Sequence, residues 1–180
     1  MRIDQTFDRR ELLRRAILLV GGTAIAAPVE LFADSGAKAR FFGPAEYSLL
    51  EVVADIIMPR TDTPGAIDAG VPLAFDALMK NWASRERQEQ FRALLKEIDQ
   101  AAREQGNGLL ALEDTRRAEV LVAFDKSKNG DRVYRKFKEL VLTLYYHSEV
   151  GATQELRYEH VPGRWEASVK MTPETRAWAV

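Results

Sequence analysis

DRVYRKFKELVLTLYY, residues 131–146, decides the fold. Its apolar residues Val133, Tyr134, Phe137, Leu140, Val141, Leu144 and Tyr145 recur every three to four places, so a helix gathers them on one face. A half-buried strand would instead alternate at period two, and no stretch of this chain does so for long enough.

The same period extends upstream. Phe41-Phe42-Gly43-Pro44 is a turn, with Pro44 suited to the first position of a helix. Leu49, Leu50, Val53, Ile56 and Ile57 form the stripe of that helix, and Pro59 stops it. The loop Arg60–Gly70 is dense in turn formers. A short helix is expected over Leu73–Trp82, opened by Pro72. A longer one, capped by Ser84, carries Phe91, Leu94, Leu95, Ile98 and Ala102 and ends at Gly106-Asn107-Gly108. A fourth spans Asp114–Phe124. The expectation is an all-α protein, a compact bundle of about five helices over residues 44–149. A signal segment at 1–27 and a linker at 28–43 precede it, and an irregular C-terminal arm at 150–180 follows. That arm holds Tyr158, Trp165 and Trp178 and no useful helical stripe, so it reads as ordered chain lying on its own helices or on another protein.

Composition removes many chemistries. With no cysteine among 180 residues there is no disulfide framework, thiol nucleophile, Cys-ligated zinc or iron–sulfur cluster. Two histidines, His147 and His160, are too few for most transition-metal sites. The 26 basic and 27 acidic residues nearly cancel, so no global field gathers nucleic acid. A mean hydropathy of −0.27 argues against a multi-span membrane protein.

The first residues read as an address. Arg2, Arg9, Arg10, Arg14 and Arg15 outnumber Asp4, Asp8 and Glu11, and the uncharged run AILLVGGTAIAA, residues 16–27, follows with its small-residue Ala24-Ile25-Ala26. Basic, apolar, then small is the layout of an export signal. The run is too short to span a bilayer, which takes roughly twenty residues. An amphipathic core helix would need a polar face that this stretch lacks. Asp8-Arg9-Arg10-Glu11-Leu12-Leu13-Arg14 resembles the twin-arginine signal, with Asp8 in place of the hydroxyl residue and Leu12 in place of Phe. That resemblance implies passage of a folded protein.

Candidate reactive groups do not assemble in the sequence. Asp125–Asp131 begins like a calcium loop, but the twelfth position is Lys136, and Lys126, Lys128 and Arg132 oppose a cation. An Asn-Gly turn between helices is the reading that remains. The basic residues from Lys126 to Lys138 lack the glycine pattern or aromatic interleaving of a phosphate or nucleic-acid site. His147, Ser148 and Glu149 are consecutive, so on a helix they diverge and form no relay among themselves. The expectation is no catalytic, cofactor or metal residue in this chain.

Two stretches are more particular: Ile57–Ala66 (IMPRTDTPGA) and Tyr145–Tyr158 (YYHSEVGATQELRY), the second continuing to Val161-Pro162-Gly163-Arg164. Together they resemble the gluconate 2-dehydrogenase subunit 3 family over nearly all of residues 40–165, departing at His147, where Thr is expected. The resemblance implies an accessory small subunit. Its large partner is an FAD-dependent dehydrogenase of the GMC type that oxidises a sugar, glycoside or sugar acid, often with a cytochrome c subunit as electron acceptor. The partner would hold FAD and the catalytic residues. This chain would assist its folding and carry it to the twin-arginine translocase, and so to the periplasm, through Arg9, Arg10, Leu12 and Leu13.

Such a role is a matter of surface. Tyr, Trp and Arg dominate interface energies, which marks Arg157, Tyr158, Arg164, Trp165 and Trp178 in the arm. Arg60, Pro64, Gly65 and Asp68 in the first loop, with Tyr146 and Glu155, complete the expected contact. Alternatively, Arg60 and Glu155 or Arg157 merely tie the arm to the loop within the chain. Two competing readings are an independent periplasmic enzyme using His147 or Glu149, and a tether whose residues 16–27 stay uncleaved in the inner membrane.

Overall fold

The computed structural model describes residues 40–161, 163, 168, 170–172 and 174–179. The signal residues Arg9, Arg10, Leu12 and Leu13, and Arg164 and Trp165 of the arm, lie outside the described residues. Among the described residues, five α-helices follow one another: α1 Pro44–Ile57, α2 Val71–Asn81, α3 Arg85–Arg103, α4 Asp114–Ser127 and α5 Arg132–Tyr146. A 3-10 turn at Leu109–Ala111 joins α3 to α4, and a π-helical turn at Gly151–Glu155 follows α5. No strand occurs among the described residues. An isolated parallel bridge pairs Arg157 with Trp178. The all-α expectation holds.

Local chemistry sets the helix ends. Pro44 opens α1, and the Gly43 N–H donates to the Glu46 carboxylate at 3.2 Å. Ser84 Oγ accepts the Arg87 N–H at 3.3 Å at the start of α3. Asp131 Oδ1 accepts the Val133 and Tyr134 N–H groups at 2.8 and 2.9 Å at the start of α5. These bonds hold the Asp131 carboxyl below the usual carboxylate range, the Tyr134 N–H contributing most. Helix α2 starts at Val71, two places before the expected Leu73. Gly70 turns there in a left-handed conformation (φ +68°), and Pro72 fits inside the first turn, where it lacks no needed donor.

The predicted stripes face one another. Phe75 of α2, Phe91 of α3 and Phe137 of α5 form a ring triangle with centroids 5.1–5.6 Å apart, spacings at which aromatic pairs attract beyond their buried area. Helix α1 packs across α2, α3, α4 and α5 and contributes Leu50, Val53 and Ala54 to the same core. The carboxylate of Asp76 is buried beneath the chain entering α1 and accepts the N–H groups of Phe41 at 3.1 Å and Phe42 at 2.9 Å. Arg92 closes that corner from α3, donating to the Phe41 carbonyl at 2.5 Å with its guanidinium 4.1 Å from the Phe41 ring centroid. Among the described residues, no helix is long and apolar enough to cross a membrane.

Candidate functional site

One end of the bundle gathers the loop between α1 and α2, the end of α5, the π-helical turn and part of the arm. The loop is fixed from within. The Ala66 N–H donates to the Met58 carbonyl at 2.8 Å and the Val71 N–H to the Ala66 carbonyl at 3.0 Å. Asp68 accepts the Gly65 N–H at 3.0 Å and the Arg60 guanidinium. The Gly65 N–H, and then Arg60, hold the Asp68 carboxyl below the usual carboxylate range. Gly65 sits so close to the chain before it that an added Cβ would lie 2.6 Å from the Arg60 nitrogen and 2.9 Å from the Met58 oxygen. Arg60 and Asp68, both expected at an interface, are thus partners of each other.

Two side-chain bonds join the loop to the rest. The Tyr145 hydroxyl donates to the Pro64 carbonyl at 2.7 Å, and the Thr63 hydroxyl donates to the Glu155 carboxylate at 2.6 Å. The tie between loop and arm therefore runs through Thr63, where the charge pattern suggested Arg60 as Glu155's partner. A threonine in a turn-rich loop gives no signal of this contact, because the partner lies 92 residues away. Tyr146 is half-buried, with its ring 5.3 Å from that of Tyr145.

Gly151 is where α5 and the π-helical turn meet. A Cβ there would lie 2.1 Å from the Tyr145 oxygen, so no side chain fits. Ser148 fills the junction, donating its hydroxyl to the Tyr145 carbonyl at 2.6 Å and accepting the Gly151 N–H at 3.0 Å. His147 Nδ1 lies 2.8 Å from the Thr143 carbonyl. These groups finish a helix and are not aligned on one another. Among the described residues, no three His, Cys, Asp or Glu side chains converge as metal ligands would.

Further along, the Arg157 guanidinium lies over the Trp178 ring at 4.2 Å and reaches Glu159 at 3.3 Å. The Tyr158 hydroxyl is 3.3 Å from His160 Nδ1. Tyr158 and Trp178 remain 43% and 46% exposed, and Ile67 of the loop 44%, so this end of the molecule shows water more apolar area than its charged rim alone would. Trp82, at the C-terminal end of α2, is 66% exposed. It was not singled out from the sequence, where it reads as one more apolar residue at a helix end.

Away from this end, a depression of about 120 Å³ lies between α4 and α5 beside the Asn129-Gly130 turn. Its charges are matched by neighbours: Lys138 with Asp125, Lys128 with Glu97 at 2.7 Å, and Asp131 with the first N–H groups of α5. Asp131 is therefore the cap of α5, directly after the Asn-Gly turn between the two helices.

The class these features define is a helical domain whose polar side chains fasten its own loops, with exposed aromatic groups on the irregular arm (Tyr158, Trp178) and at the end of α2 (Trp82). The model of the gluconate 2-dehydrogenase subunit 3 family matches residues 44–163, two-thirds of the 180-residue chain, and the chain belongs to that family. No curated protein and no solved structure matches it. The matched region contains all five helices, the loop Arg60–Gly70, the π-helical turn and the first part of the arm.

Proposed function

We propose that this chain is the non-catalytic small subunit of an FAD-dependent sugar, glycoside or gluconate dehydrogenase complex. It assists the folding of the large GMC-type flavoprotein and carries it, already folded around FAD, through the twin-arginine translocase to the periplasm. The family match over residues 44–163 carries this reading. It is supported by a basic start with Arg9-Arg10 ahead of a short apolar run, which suits export of a preassembled complex. In this reading FAD and the chemistry belong to the partner.

The loop around Arg60 and Asp68 and the arm from Glu155 to Trp178 are the surface offered to the flavoprotein. A stable heteromeric contact buries roughly 2,000 Å² or more, an area that a helical body with an extended arm can supply. The test replaces Arg9 and Arg10 by Lys in cells that also express the flavoprotein. Both proteins should then stay in the cytoplasm. A dehydrogenase that still reaches the periplasm in normal amount ends the escort reading.

A further inference from the structure

The C-terminal arm is tied to itself. Arg157 donates its N–H to the Ala177 carbonyl at 2.7 Å and accepts the Ala179 N–H at 3.0 Å, which makes the parallel bridge with Trp178. The Arg157 guanidinium covers the Trp178 ring at 4.2 Å. Next to it, Arg176 Nη1 donates to the Gln154 carbonyl at 2.8 Å and the Thr153 carbonyl at 3.2 Å. These carbonyls belong to the last residues of the π-helical turn, where the helical pattern leaves acceptors without a partner. A single bridge in exposed chain is too little to persist alone. Here a stacked guanidinium and two charge-assisted bonds act on the same few residues and reinforce it.

The tie leaves its aromatic groups on view. Trp178 and Tyr158 are each a little under half exposed, although the main chain of their neighbours Arg157, Ala177 and Ala179 is paired. A loose arm would lose its freedom on docking and weaken the complex accordingly, whereas an arm already fixed presents the same rings at smaller entropic loss.

We propose that residues 176–179 are a clasp that holds the arm in the shape the flavoprotein binds, with Arg176 as its positioning residue. The proposal rests on the accessory-subunit reading above. It adds to that reading a specific device, half of which (Arg157) lies inside the family-matched region and half (Arg176 and Trp178) beyond it.

The test has two arms, both on the full chain. The first is limited trypsin digestion read by mass spectrometry, comparing the cut after Arg157 with the cut after exposed Lys170. The clasp engages the main chain and side chain of Arg157, so that bond is cut only from the open form. In Arg176→Ala and Trp178→Ala the Arg157 cut should accelerate about tenfold or more relative to the Lys170 cut, while helix content stays unchanged. Arg176→Lys should lie between, because an ammonium keeps the charge and the donors but ends one bond nearer the main chain than Nη1, the nitrogen that makes both bonds. Equal Arg157 cutting in wild type and variants overturns the clasp.

The second arm follows release of the co-purified flavoprotein from immobilised chain. Arg176→Ala should release it at least about fivefold faster, with partial rescue by Arg176→Lys. Trp178→Ala removes a contact as well as the clasp, so the Arg176 variants decide this arm. An opened clasp with unchanged release overturns the proposal. If wild type itself retains no flavoprotein, the accessory-subunit reading falls and the proposal with it, whereas the trypsin arm still reports whether the clasp forms.

Discussion

The Tyr145 hydroxyl donates to the Pro64 carbonyl at 2.7 Å, joining residues 81 apart in the chain. Tyr145 is a core residue, 1% exposed, and its ring packs with the bundle while its oxygen fastens the loop outside it. Burial pushes the Tyr145 hydroxyl pKa up, so the group remains a donor at physiological pH. One side chain therefore couples the helical core to the surface proposed for the partner.

Tyr145→Phe keeps the ring and deletes this bond. The expected loss is about 1 kcal/mol, the usual net worth of a neutral hydrogen bond, with the far-UV spectrum unchanged. Urea midpoints of the two proteins measure it. An unaltered midpoint means that water replaces the hydroxyl without loss and that the bond does not hold the loop.

Gly151→Ala tests the junction of α5 with the π-helical turn. The added methyl would meet the Tyr145 oxygen at 2.1 Å and the Tyr146 Cα at 3.0 Å, so main chain must move. The expected loss is at least about 2 kcal/mol. Gly43→Ala is the control, because there the nearest atom is a Glu46 carboxylate oxygen at 3.9 Å. Gly43→Ala should cost only about 0.5 kcal/mol, for a poorer N-cap with no clash, and thermal melts of both variants read the contrast.

Asp76→Ala strips the buried acceptor from the Phe41 and Phe42 N–H groups. Two orphaned donors should reduce stability by about 3 kcal/mol, seen as a lower denaturant midpoint. Asp76→Asn keeps one acceptor oxygen and should recover part of the loss. Equal stability of all three proteins would show that the corner is held by Arg92 and ring packing alone.

Acid should loosen the loop in a defined direction. The Asp68 carboxyl lies below its ordinary value through the Gly65 N–H and then Arg60. Its stabilising contribution is complete above the unfolded carboxylate value of about 4 and is lost as pH falls through the depressed native value. Wild type and Asp68→Asn should therefore differ in urea midpoint at pH 7 and converge as pH falls through the depressed native value. Asp131 follows the same sign at the start of α5. A gap between wild type and Asp68→Asn that widens on acidification would contradict the assignment.

Much of the fold was legible because helical burial is a local rule. The stripe from Val133 to Tyr145, the cap at Ser84 and the stop at Pro59 depend on residues within a few places of one another, and each appears in the structure where those residues stand. The candidate surface was legible only in outline. Arg60 and Asp68 were recognisable as a charged loop, but nothing nearby states that they pair with each other. Thr63 carries the tie to Glu155 without any periodic or charge signal. Arg176 stands in irregular chain, where neither neighbour nor spacing announces the two carbonyls it caps.

Sequence alone determined which segments become helices, which face of each is apolar, and which chemistries a cysteine-free chain with two histidines lacks. Tertiary structure decided who meets whom: Tyr145 with Pro64, Thr63 with Glu155, Arg157 with Trp178. A helix forms from contacts three and four residues apart, whose geometry the backbone prescribes. A contact between distant residues in irregular chain depends on how packed helices place two loops in space, and no local pattern encodes that placement.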